Sequence, residues 1–534
     1  MGELRDWFLT PDERDNPATD IDRRRGDGRA WTEGNDLRAL IHGDEYFSRL
    51  WEVLSRLRRG DLVHFADWRG DPNELLDGPG TPVGEALAAL ARRGVSVRGL
   101  VWRSHPDQAD FSEQENLALG EVVNEAGGEV LLDERVRRAG CHHQKLFVVR
   151  HLGRQDDDVA FVGGIDLCRG RRDGAAHEGD PQAIDIDPRY GPRPPWHDIQ
   201  MEIRGPAVGD VDTTFRERWE DPTPLDHRNP WRGLLARLAR EPRHVSPLPP
   251  MPVDPAPAGR LAVQILRTYP RKRPPFPYAP EGERSVARAY AKALARASSL
   301  IYLEDQYLWS REVAALLAMA LRRSPQLRLI AVVPRYPDRD GRLSGPPNRI
   351  GQEAAIREVR EAGGDRVGIY DLENELGWPI YVHAKVCVID DVWVAVGSDN
   401  LNRRSWTHDS ELSCAVVDRE PDDRAPVDPG GLGDGARAFA RELRLRLWRE
   451  HLGPEPLESA LLDPVEGFQA WGRSAQALDE WHRRGKEGPR PSGRIRSHRP
   501  APVGRLAWMW AGPFYRMVVD PDGRPRRLKR ADRF

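Results

Sequence analysis

The chain has 534 residues and a mass of 60.4 kDa, a length that predicts two large lobes or several small domains. Charged residues make up 31% and apolar residues 39%, a balance typical of globular proteins that excludes a disordered chain. The 81 basic and 84 acidic side chains give a net charge of -3, which excludes a general attraction to polyanions. Any phosphate chemistry is therefore expected to be local.

The cysteines and the apolar segments give no sign of export. Four cysteines without a Cys-x-x-Cys pair are too few for a disulfide framework. No window holds 18 uninterrupted apolar residues, and the N-terminus does not resemble a signal peptide. We therefore expect no transmembrane segment and a cytoplasmic location, with each cysteine acting as a small buried apolar side chain.

Elements of the first half recur in the same order in the second half. The strand-like segments 62–68 and 300–309 are each followed by a helical pattern, a second apolar strand and another helical stretch. The segments CHHQKLFVV and YVHAKVCVI follow, centred on His143 and His383. This alternation predicts an α/β fold with two similar lobes, each a mixed, mostly parallel sheet flanked by helices, packed with pseudo-two-fold symmetry.

A proline-rich segment separates the two halves. Residues 246–259 contain six prolines, which hold the chain extended and exclude a helix or a central strand. The predicted organisation is an N-terminal lobe over residues 1–245, this linker, a C-terminal lobe over 260–452 and an appended basic, proline-rich segment over 453–534.

Both histidine segments carry a lysine two positions after the histidine. Side chains alternate along a strand, so His143 and Lys145 point the same way, as do His383 and Lys385. Each copy leads to a glycine pair or a Gly-Ser at a strand end, where the backbone can approach an anion closely. A single strand histidine is usually a core residue, but the repetition predicts a phosphate pocket.

The second copy, HAKVCVID followed by GSDN, resembles the HxKxxxxD signature of the phospholipase D superfamily. Two copies of that signature meet at one active site in the superfamily. The segments FVGGIDLCRGRRD and PWHDIQ resemble further blocks of the bacterial and eukaryotic-type phospholipases D that lack membrane anchors. The resemblance covers roughly residues 60–450 and implies the two-lobed fold described above.

The resemblance also implies a mechanism without cofactor or metal. His143 attacks phosphorus to form a phosphohistidine, and His383 protonates the leaving alcohol and then activates the acceptor. The symmetry of the sequence alone allows the reverse assignment. Asp198 and Glu411 resemble the acids that support the two imidazoles. The expected ligands of the substrate phosphate are Lys145, Lys385, Gly164, Ser398 and Asn400.

The first copy departs from the motif. Arg150 stands where the motif has an aspartate, and six inserted residues place Asp156 at the distance from the following glycine that Asp390 has in the second copy. Asp156 is therefore the predicted structural counterpart of Asp390, although either of the next two aspartates can substitute, or the position is dispensable. Asp166 replaces Asn400, which makes the expected phosphate contacts asymmetric.

The first half also contains 27 extra residues between its histidine and its supporting acid. Their glycine, proline and aspartate content predicts an irregular loop at the mouth of the pocket. His177 lies in this loop, and we expect it to be a solvated side chain and not a metal ligand.

The leading interpretation is a phospholipase D that hydrolyses the distal phosphodiester of glycerophospholipids such as phosphatidylcholine, with transfer to alcohols as a side reaction. The expected partner is a phospholipid at a membrane surface, contacted transiently by a monomer, and no nucleic acid is expected. The alternatives are a phosphatidyltransferase of the cardiolipin-synthase kind, a phosphodiesterase acting on nucleic acid, and a catalytically silent lipid-phosphate binder. The altered residue Arg150 is the only support for the last.

Overall fold

Two β-sheets organise the chain. The computed structural model describes residues 4–103, 113–225, 230–238, 241–338, 345–500, 504, 511–531 and 533–534. The strands of the first half are β1 (Thr32–Ile41), β2 (Leu62–Asp67), β3 (Ser96–Trp102), β4 (Glu129–Asp133), β5 (Leu146–Arg150), β6 (Val159–Gly163), β7 (Trp196–His197) and β8 (Ile199–Arg204). Those of the second half are β9 (Leu261–Tyr269), β10 (Glu283–Arg284), β11 (Leu300–Glu304), β12 (Arg328–Val332), β13 (Val367–Glu373), β14 (Pro379–Val382), β15 (Val386–Ile389), β16 (Trp393–Gly397), β17 (Glu411–Asp418) and β18 (Ile495–Ser497).

The two sheets share one strand order. The first runs β1-β8-β6-β5-β2-β3-β4 and the second β9-β17-β16-β15-β11-β12-β13. The last three strands of each order are parallel, and the other neighbours are antiparallel. Mixed sheets are therefore confirmed, but the prediction that they are mostly parallel is wrong, because β5 and β15 turn back through hairpins into β6 and β16. Strand β1 also pairs with β9 and joins the sheets.

Helices cover the outer face of each sheet. Helices α3, α4 and α5 pack on the first sheet, and α8, α9 and α10 pack on the second. The helices are α1 (Leu4–Trp7), α2 (Pro11–Arg14), α3 (Gly43–Ser55), α4 (Val83–Arg92), α5 (Glu113–Glu125), α6 (Ala207–Trp219), α7 (Pro230–Leu238), α8 (Ser285–Leu294), α9 (Arg311–Arg323), α10 (Gly345–Gly363), α11 (Arg403–Thr407), α12 (Ala438–Leu452), α13 (Glu458–Leu462), α14 (Pro464–Arg483) and α15 (Arg526–Arg530). Among the described helices, none has both the length and the apolar character needed to cross a bilayer.

The histidine strands are buried on both faces. Along β5, Leu146 and Val148 face a core shared by the two sheets, whereas Phe147 and Val149 pack against the outer helices. Strand β15 alternates in the same way. Burial on both faces explains the unbroken apolar runs in the sequence. The histidines lie just before these strands and so sit at the edges of rigid sheets.

The core between the sheets also contains α6, α12 and α14. The segment after residue 453 is thus part of the fold, since α14 enters this core and β18 pairs with β13. The N-terminal residues Trp7, Phe8 and Leu9 pack with the outer helices of the second sheet.

The linker lies along the first half of the chain. Arg150 donates to the carbonyl oxygens of Pro252 and Val253 at 3.3 and 2.7 Å, and Arg216 donates to that of Pro249 at 2.7 Å. Because proline has no N–H group, carbonyl oxygens carry many of the contacts of this extended segment. Ser246 N also donates to Glu129 Oε1 at 2.8 Å, and Arg24 pairs with Asp254 at 2.6 Å.

Candidate active site

Each motif histidine is paired with a carboxylate from the other half of the chain. His143 Nδ1 lies 2.8 Å from Glu411 Oε2, and His383 Nδ1 lies 2.6 Å from Asp198 Oδ2. A carboxylate at Nδ1 favours the tautomer that leaves Nε2 free to attack phosphorus or to carry a proton. The structure thus brings together the two histidines and the two supporting acids named from the sequence.

Backbone pairing between the halves fixes these contacts. His143 N donates to Ser410 O at 2.9 Å, and His383 N donates to His197 O at 2.8 Å. In both cases the accepting residue directly precedes the supporting carboxylate. Strands β7 and β14 extend the second of these contacts as a parallel pair. The contacts are reciprocal, so each half completes the site of the other.

The two motif lysines have different surroundings. Lys145 Nζ lies 3.2 Å from Asp166 Oδ1; burial opposes its charge, but Asp166 and Asp67 prevail and raise its pKa. Lys385 Nζ donates to Gln306 Oε1 at 3.4 Å. Burial is the main cause that lowers the pKa of Lys385, and the charge of Lys145 acts in the same direction; against the pull of Asp198 and other nearby carboxylates, they bring this pKa to about 8. That mutual repulsion between the lysines is the expected result of both motifs facing one site.

The imidazole of His383 is neutral in the unliganded site. Burial is the main cause, and the charge of Lys385 adds to it; together they lower the pKa of His383 to about 3 despite the contact with Asp198. A bound phosphate anion acts against both effects and favours the protonated ring.

A cavity of about 470 Å³ opens beside His143. The ring of Trp68 lies 5.9 Å from the imidazole, between centroids. Asn400, one of the predicted phosphate ligands, also lines the cavity, and its Oδ1 atom is buried with no hydrogen-bond partner among the described residues. Further aromatic walls come from Trp102, Tyr307 and Trp309.

Two other predicted phosphate ligands have different contacts in the structure. Ser398 Oγ donates to Glu411 Oε2 at 2.6 Å, so the hydroxyl orients the carboxylate that supports His143. The N–H of Gly164 donates to Ile199 O, and a Cβ atom at this residue would lie 2.3 Å from Asp198 Oδ1. The structure therefore uses this glycine to admit Asp198, and its N–H is not available to a phosphate.

Arg171 is a site residue that sequence reasoning missed. Its guanidinium lies 4.1 Å from the centre of the Trp196 ring, and that ring lies 5.1 Å from the imidazole of His383, between centroids, at an interplanar angle of 39°. The Nε and Nη1 atoms are buried without hydrogen-bond partners among the described residues. The positive charge of Arg171 is balanced in part by Asp166, whose Oδ2 atom lies 3.7 Å from Arg171 Nη2. Its position in the block GGIDLCRGRRD was the available signal.

Asp67 and Asp305 form another repeated pair of carboxylates. Asp67 Oδ2 accepts from Leu167 N at 3.1 Å, and Asp305 Oδ2 accepts from Leu401 N at 2.9 Å. Each fixes the loop that follows the glycine-containing strand end of its own half. Burial raises the pKa of Asp305 to about 6.

The motif aspartate of the second half contacts the backbone that leads into β11. Asp390 accepts three backbone N–H groups, from residues 298–300, each at 2.8 Å. In the first half, Asp156 does not take this part, because it is exposed in a short 3-10 turn. Asp158 is buried instead and pairs with Arg150 at 2.7 Å, so the choice of Asp156 is corrected to Asp158 as the buried acid of this turn.

In the first half, the carboxylate that corresponds to Asp390 comes from the start of the neighbouring strand β2. Asp61, just before β2, accepts the N–H groups of Arg58 and Leu152 at 2.8 and 2.9 Å. In the second half the carboxylate follows the histidine strand; in the first it precedes the neighbouring strand. Equivalent strands are therefore joined in both halves, β5 to β2 and β15 to β11. Because Asp61 makes this connection, the motif position can hold Arg150.

His177 is fully buried, so the expectation of a solvated loop histidine is wrong. Its Nε2 lies 3.0 Å from Glu450 Oε1, which also lies 3.4 Å from His197 Nδ1. Neutral imidazoles and a carboxylate in this arrangement can hold a divalent cation; the two candidate groups are His42, His177, His197 and Glu450, and His197, Glu304 and His451. Without an ion, Glu304 and Glu450 overcome the effect of burial and raise the pKa of His197 to about 10, so the same residues also form an ion-pair network.

Two family models match the chain. The model described as Phospholipase D matches residues 73–313 and 370–481, and the model described as Cardiolipin synthase, PLD-like domain matches residues 290–424.

The chain is also similar to plant proteins named phospholipase D. Phospholipase D alpha 1 of Cynara cardunculus is 26% identical, over 72% of this chain and 60% of the relative. Phospholipase D alpha 2 of Arabidopsis thaliana is 26% identical, over 74% and 61%. The chain thus spans about three fifths of the length of these curated relatives.

Among solved structures, phosphatidylserine synthase of Haemophilus influenzae is similar with a TM-score of 0.49 and 14% identity, over 72% of this chain and 82% of that one. The Phospholipase D model covers both histidine segments and both supporting acids, and each motif histidine contacts a carboxylate of the other half. The chain belongs to the phospholipase D family.

Proposed function

We propose that the protein is a phospholipase D that cleaves the distal phosphodiester of glycerophospholipids through a phosphohistidine. The observation that carries this proposal is the reciprocal pairing of His143 with Glu411 and of His383 with Asp198. It provides two imidazoles, each with a carboxylate at Nδ1, beside two buried lysines. Phosphoryl transfer requires a nucleophile, an acid and fixed positive charge, and these groups supply all three.

In the first step, Nε2 of His143 attacks phosphorus while the bond from phosphorus to the headgroup oxygen breaks. His383, protonated once the anionic phosphodiester is bound, gives its proton to the departing alcohol. In the second step, His383 takes a proton from water, the water oxygen bonds to phosphorus, and the bond from phosphorus to His143 breaks. The products are phosphatidate, the free alcohol and the enzyme in its starting protonation state.

The assignment of His143 as nucleophile follows the resemblance and fits its surroundings. The His143 side chain is 14% exposed, whereas that of His383 is 5% exposed, and the aromatic cavity opens at His143. The phosphatidyl part stays on the nucleophile during the reaction, so an apolar wall is useful on that side. Lys145, Lys385 and Arg171 supply the charge for the phosphate oxygens, so no metal ion is needed at phosphorus.

The glycerophospholipid substrate is supported by relatives named phospholipase D alpha. A second candidate is a phosphatidyltransferase of the cardiolipin-synthase kind, favoured by the family match over residues 290–424. The two reactions share the phosphohistidine and differ only in the alcohol or water that resolves it.

The test is an incubation with phosphatidylcholine in the presence of ethanol, with release of choline and formation of phosphatidate and phosphatidylethanol measured. The assay is run with a chelator and with added Ca²⁺ or Mg²⁺, since the buried His/Glu groups can hold an ion. Phosphatidate and choline are expected under both conditions, with phosphatidylethanol when ethanol competes. Parallel incubations replace ethanol with phosphatidylglycerol, or the lipid with nucleic acid. Transfer to phosphatidylglycerol without any hydrolysis would favour the phosphatidyltransferase, and cleavage of nucleic acid alone would overturn the lipid assignment.

A further inference from the structure

The C-terminal part of the chain forms one wall of the cavity beside His143. Val518 and Val519 line that cavity. Tyr515 Oη donates to Trp309 O at 2.6 Å, and Arg404 donates to Val518 O at 2.8 Å. These contacts attach the helical segment 511–519 to the rim of the candidate active site.

The outer side of this segment is apolar and exposed. Phe514, Met517 and Val518 are 45%, 67% and 45% exposed, whereas Tyr515 between them is buried against the rim. Single exposed apolar side chains are common on proteins, but three within five residues at the mouth of a cavity form a patch.

A basic surface adjoins this segment, because Arg404 donates both to Val518 O at 2.8 Å and to Ala139 O at 2.7 Å. Arg137, two residues before Ala139, donates to Gly523 O at 3.0 Å and lines the basic cavity. Residues 523–529, a few positions after the segment, line a cavity of about 410 Å³ together with residues 271–273 of the second half. The pKa of Lys529 is lowered by partial burial, and the charges of Arg137, Arg403 and Arg524 lower it further against Asp522. The basic residues of this cavity are Arg137, Arg271, Lys272, Arg273, Arg524, Arg526 and Lys529.

We propose that the exposed side chains of residues 514–518 and the adjoining basic surface together dock on an anionic phospholipid bilayer. The net charge of the whole chain is -3, whereas every charged side chain that lines this cavity is basic. Asp522 pairs with Arg524 and Lys529 at 3.1 and 3.8 Å, so the local positive charge rests mainly on exposed side chains such as Arg273 and Arg526. Basic side chains are attracted to anionic headgroups, and apolar side chains beside them enter the interface. Docking there places the cavity of His143 over the bilayer. That the bilayer lipid is also the substrate rests on the proposed function.

The test is co-sedimentation of the full chain with vesicles of equimolar phosphatidylcholine and phosphatidylglycerol, and with vesicles of phosphatidylcholine alone. Two double variants are compared with the wild type: Phe514→Asp with Met517→Asp, and Arg273→Glu with Arg526→Glu. The matched control is Leu152→Asp. Leu152 is also strongly exposed (73%), but it follows β5 whereas His143 precedes that strand, so it lies at the opposite edge of the sheet.

Each double variant is expected to bind the mixed vesicles about tenfold more weakly, and the Leu152 variant as tightly as the wild type. High salt weakens binding of the wild type but not of the Arg273/Arg526 variant. Binding of the mixed vesicles by both double variants as tightly as by the wild type would overturn the proposal. It would also be overturned if the wild type bound DNA as tightly as these vesicles and the Phe514/Met517 variant kept that DNA binding. The basic variant replaces exposed side chains only, so it remains informative if the apolar variant does not fold.

Hydrolysis of a monomeric short-chain phosphatidylcholine separates this proposal from the proposed function. We expect the double variants to hydrolyse this substrate at the wild-type rate while losing activity on vesicles. If no protein hydrolyses any lipid but vesicle binding still depends on the segment, the proposed function fails and the docking surface stands.

Discussion

Lys145 and Lys385 occupy matching positions but differ in charge balance. Lys145 is neutralised by Asp166 at 3.2 Å, whereas the side-chain contact of Lys385 is the uncharged Gln306. The second lysine is therefore the more responsive of the two to pH. The substitution of Asp166 for the asparagine of the other half is the origin of this difference.

We expect kcat/KM to fall as the pH rises above about 8. The pKa of Lys385 is about 8 in the free protein, the protonated form binds phosphate, and kcat/KM reports groups of the free enzyme. The Lys385→Arg variant, which cannot lose its charge in this range, is expected to keep its residual activity to higher pH. A wild-type profile that stays flat to pH 10 would contradict this role.

Arg171 is expected to contribute strongly to turnover. Its Nε and Nη1 donors are buried without hydrogen-bond partners among the described residues, so they can bind a phosphate oxygen, and removing one preorganised donor to a phosphate typically costs roughly 10²- to 10³-fold in rate. We predict a loss of that order in kcat/KM for Arg171→Ala, with partial recovery in Arg171→Lys. Arg172→Ala is the matched control, because Arg172 is adjacent in sequence but half-buried; equal effects of the two alanine variants would argue against a phosphate contact.

At the scale of elements, a carboxylate joins each histidine strand to its antiparallel neighbour, β5 to β2 through Asp61 and β15 to β11 through Asp390. We predict that Asp390→Asn and Asp61→Asn each destabilise the fold by about 1–3 kcal/mol, because a carboxylate that accepts buried backbone N–H groups is replaced by a weaker acceptor. Asp156→Asn, at an exposed position, is expected to change stability by less than about 0.5 kcal/mol. Thermal unfolding of the three variants tests this; an Asp156 variant as unstable as the others would restore the motif assignment to that residue.

The sequence predicted much of this level of structure, for physical reasons. Strands buried on both faces leave unbroken apolar runs, so β2, β5, β11 and β15 could be recognised directly. Strand direction could not, because antiparallel hairpins and parallel crossovers have similar local patterns. The role of Asp61 has no local sequence signal, since this carboxylate is 91 residues from Leu152, whose N–H group it accepts after β5.

The burial of His177 was missed for a related reason. Its loop is rich in glycine, proline and aspartate, which indicates irregular backbone but does not reveal packing. The contact that buries it comes from Glu450 on α12, 273 residues away.

At the scale of the whole molecule, each half supplies the histidine of one pair and the carboxylate of the other. We predict that Glu411→Gln slows formation of the phosphoenzyme, because Glu411 supports His143. Asp198→Asn is expected to slow both formation and breakdown of the phosphoenzyme, because Asp198 supports His383, which acts as the acid in the first step and as the base in the second. Rapid-quench kinetics with labelled lipid separates the two steps, and identical effects of both variants on a single step would contradict the division of labour.

The duplication in the sequence predicted that two motifs would meet, and the structure brings them together. Lobe boundaries at residues 245 and 260 remain a prediction, and the packing of Trp7 to Leu9 on the second sheet shows that the N-terminus crosses to the other half. Such long-range contacts have no local signal in a single sequence.

The most direct test of one shared site is to trap the intermediate in the His383→Ala variant with a phosphatidyl ester of p-nitrophenol, whose leaving group needs no acid. We predict one equivalent of p-nitrophenol and acid-labile, base-stable phosphate on His143, located by mass spectrometry of peptides, and no such phosphate in the His143→Ala variant. Phosphate on His383 of the wild type, or steady turnover by the double variant lacking both histidines, would contradict it.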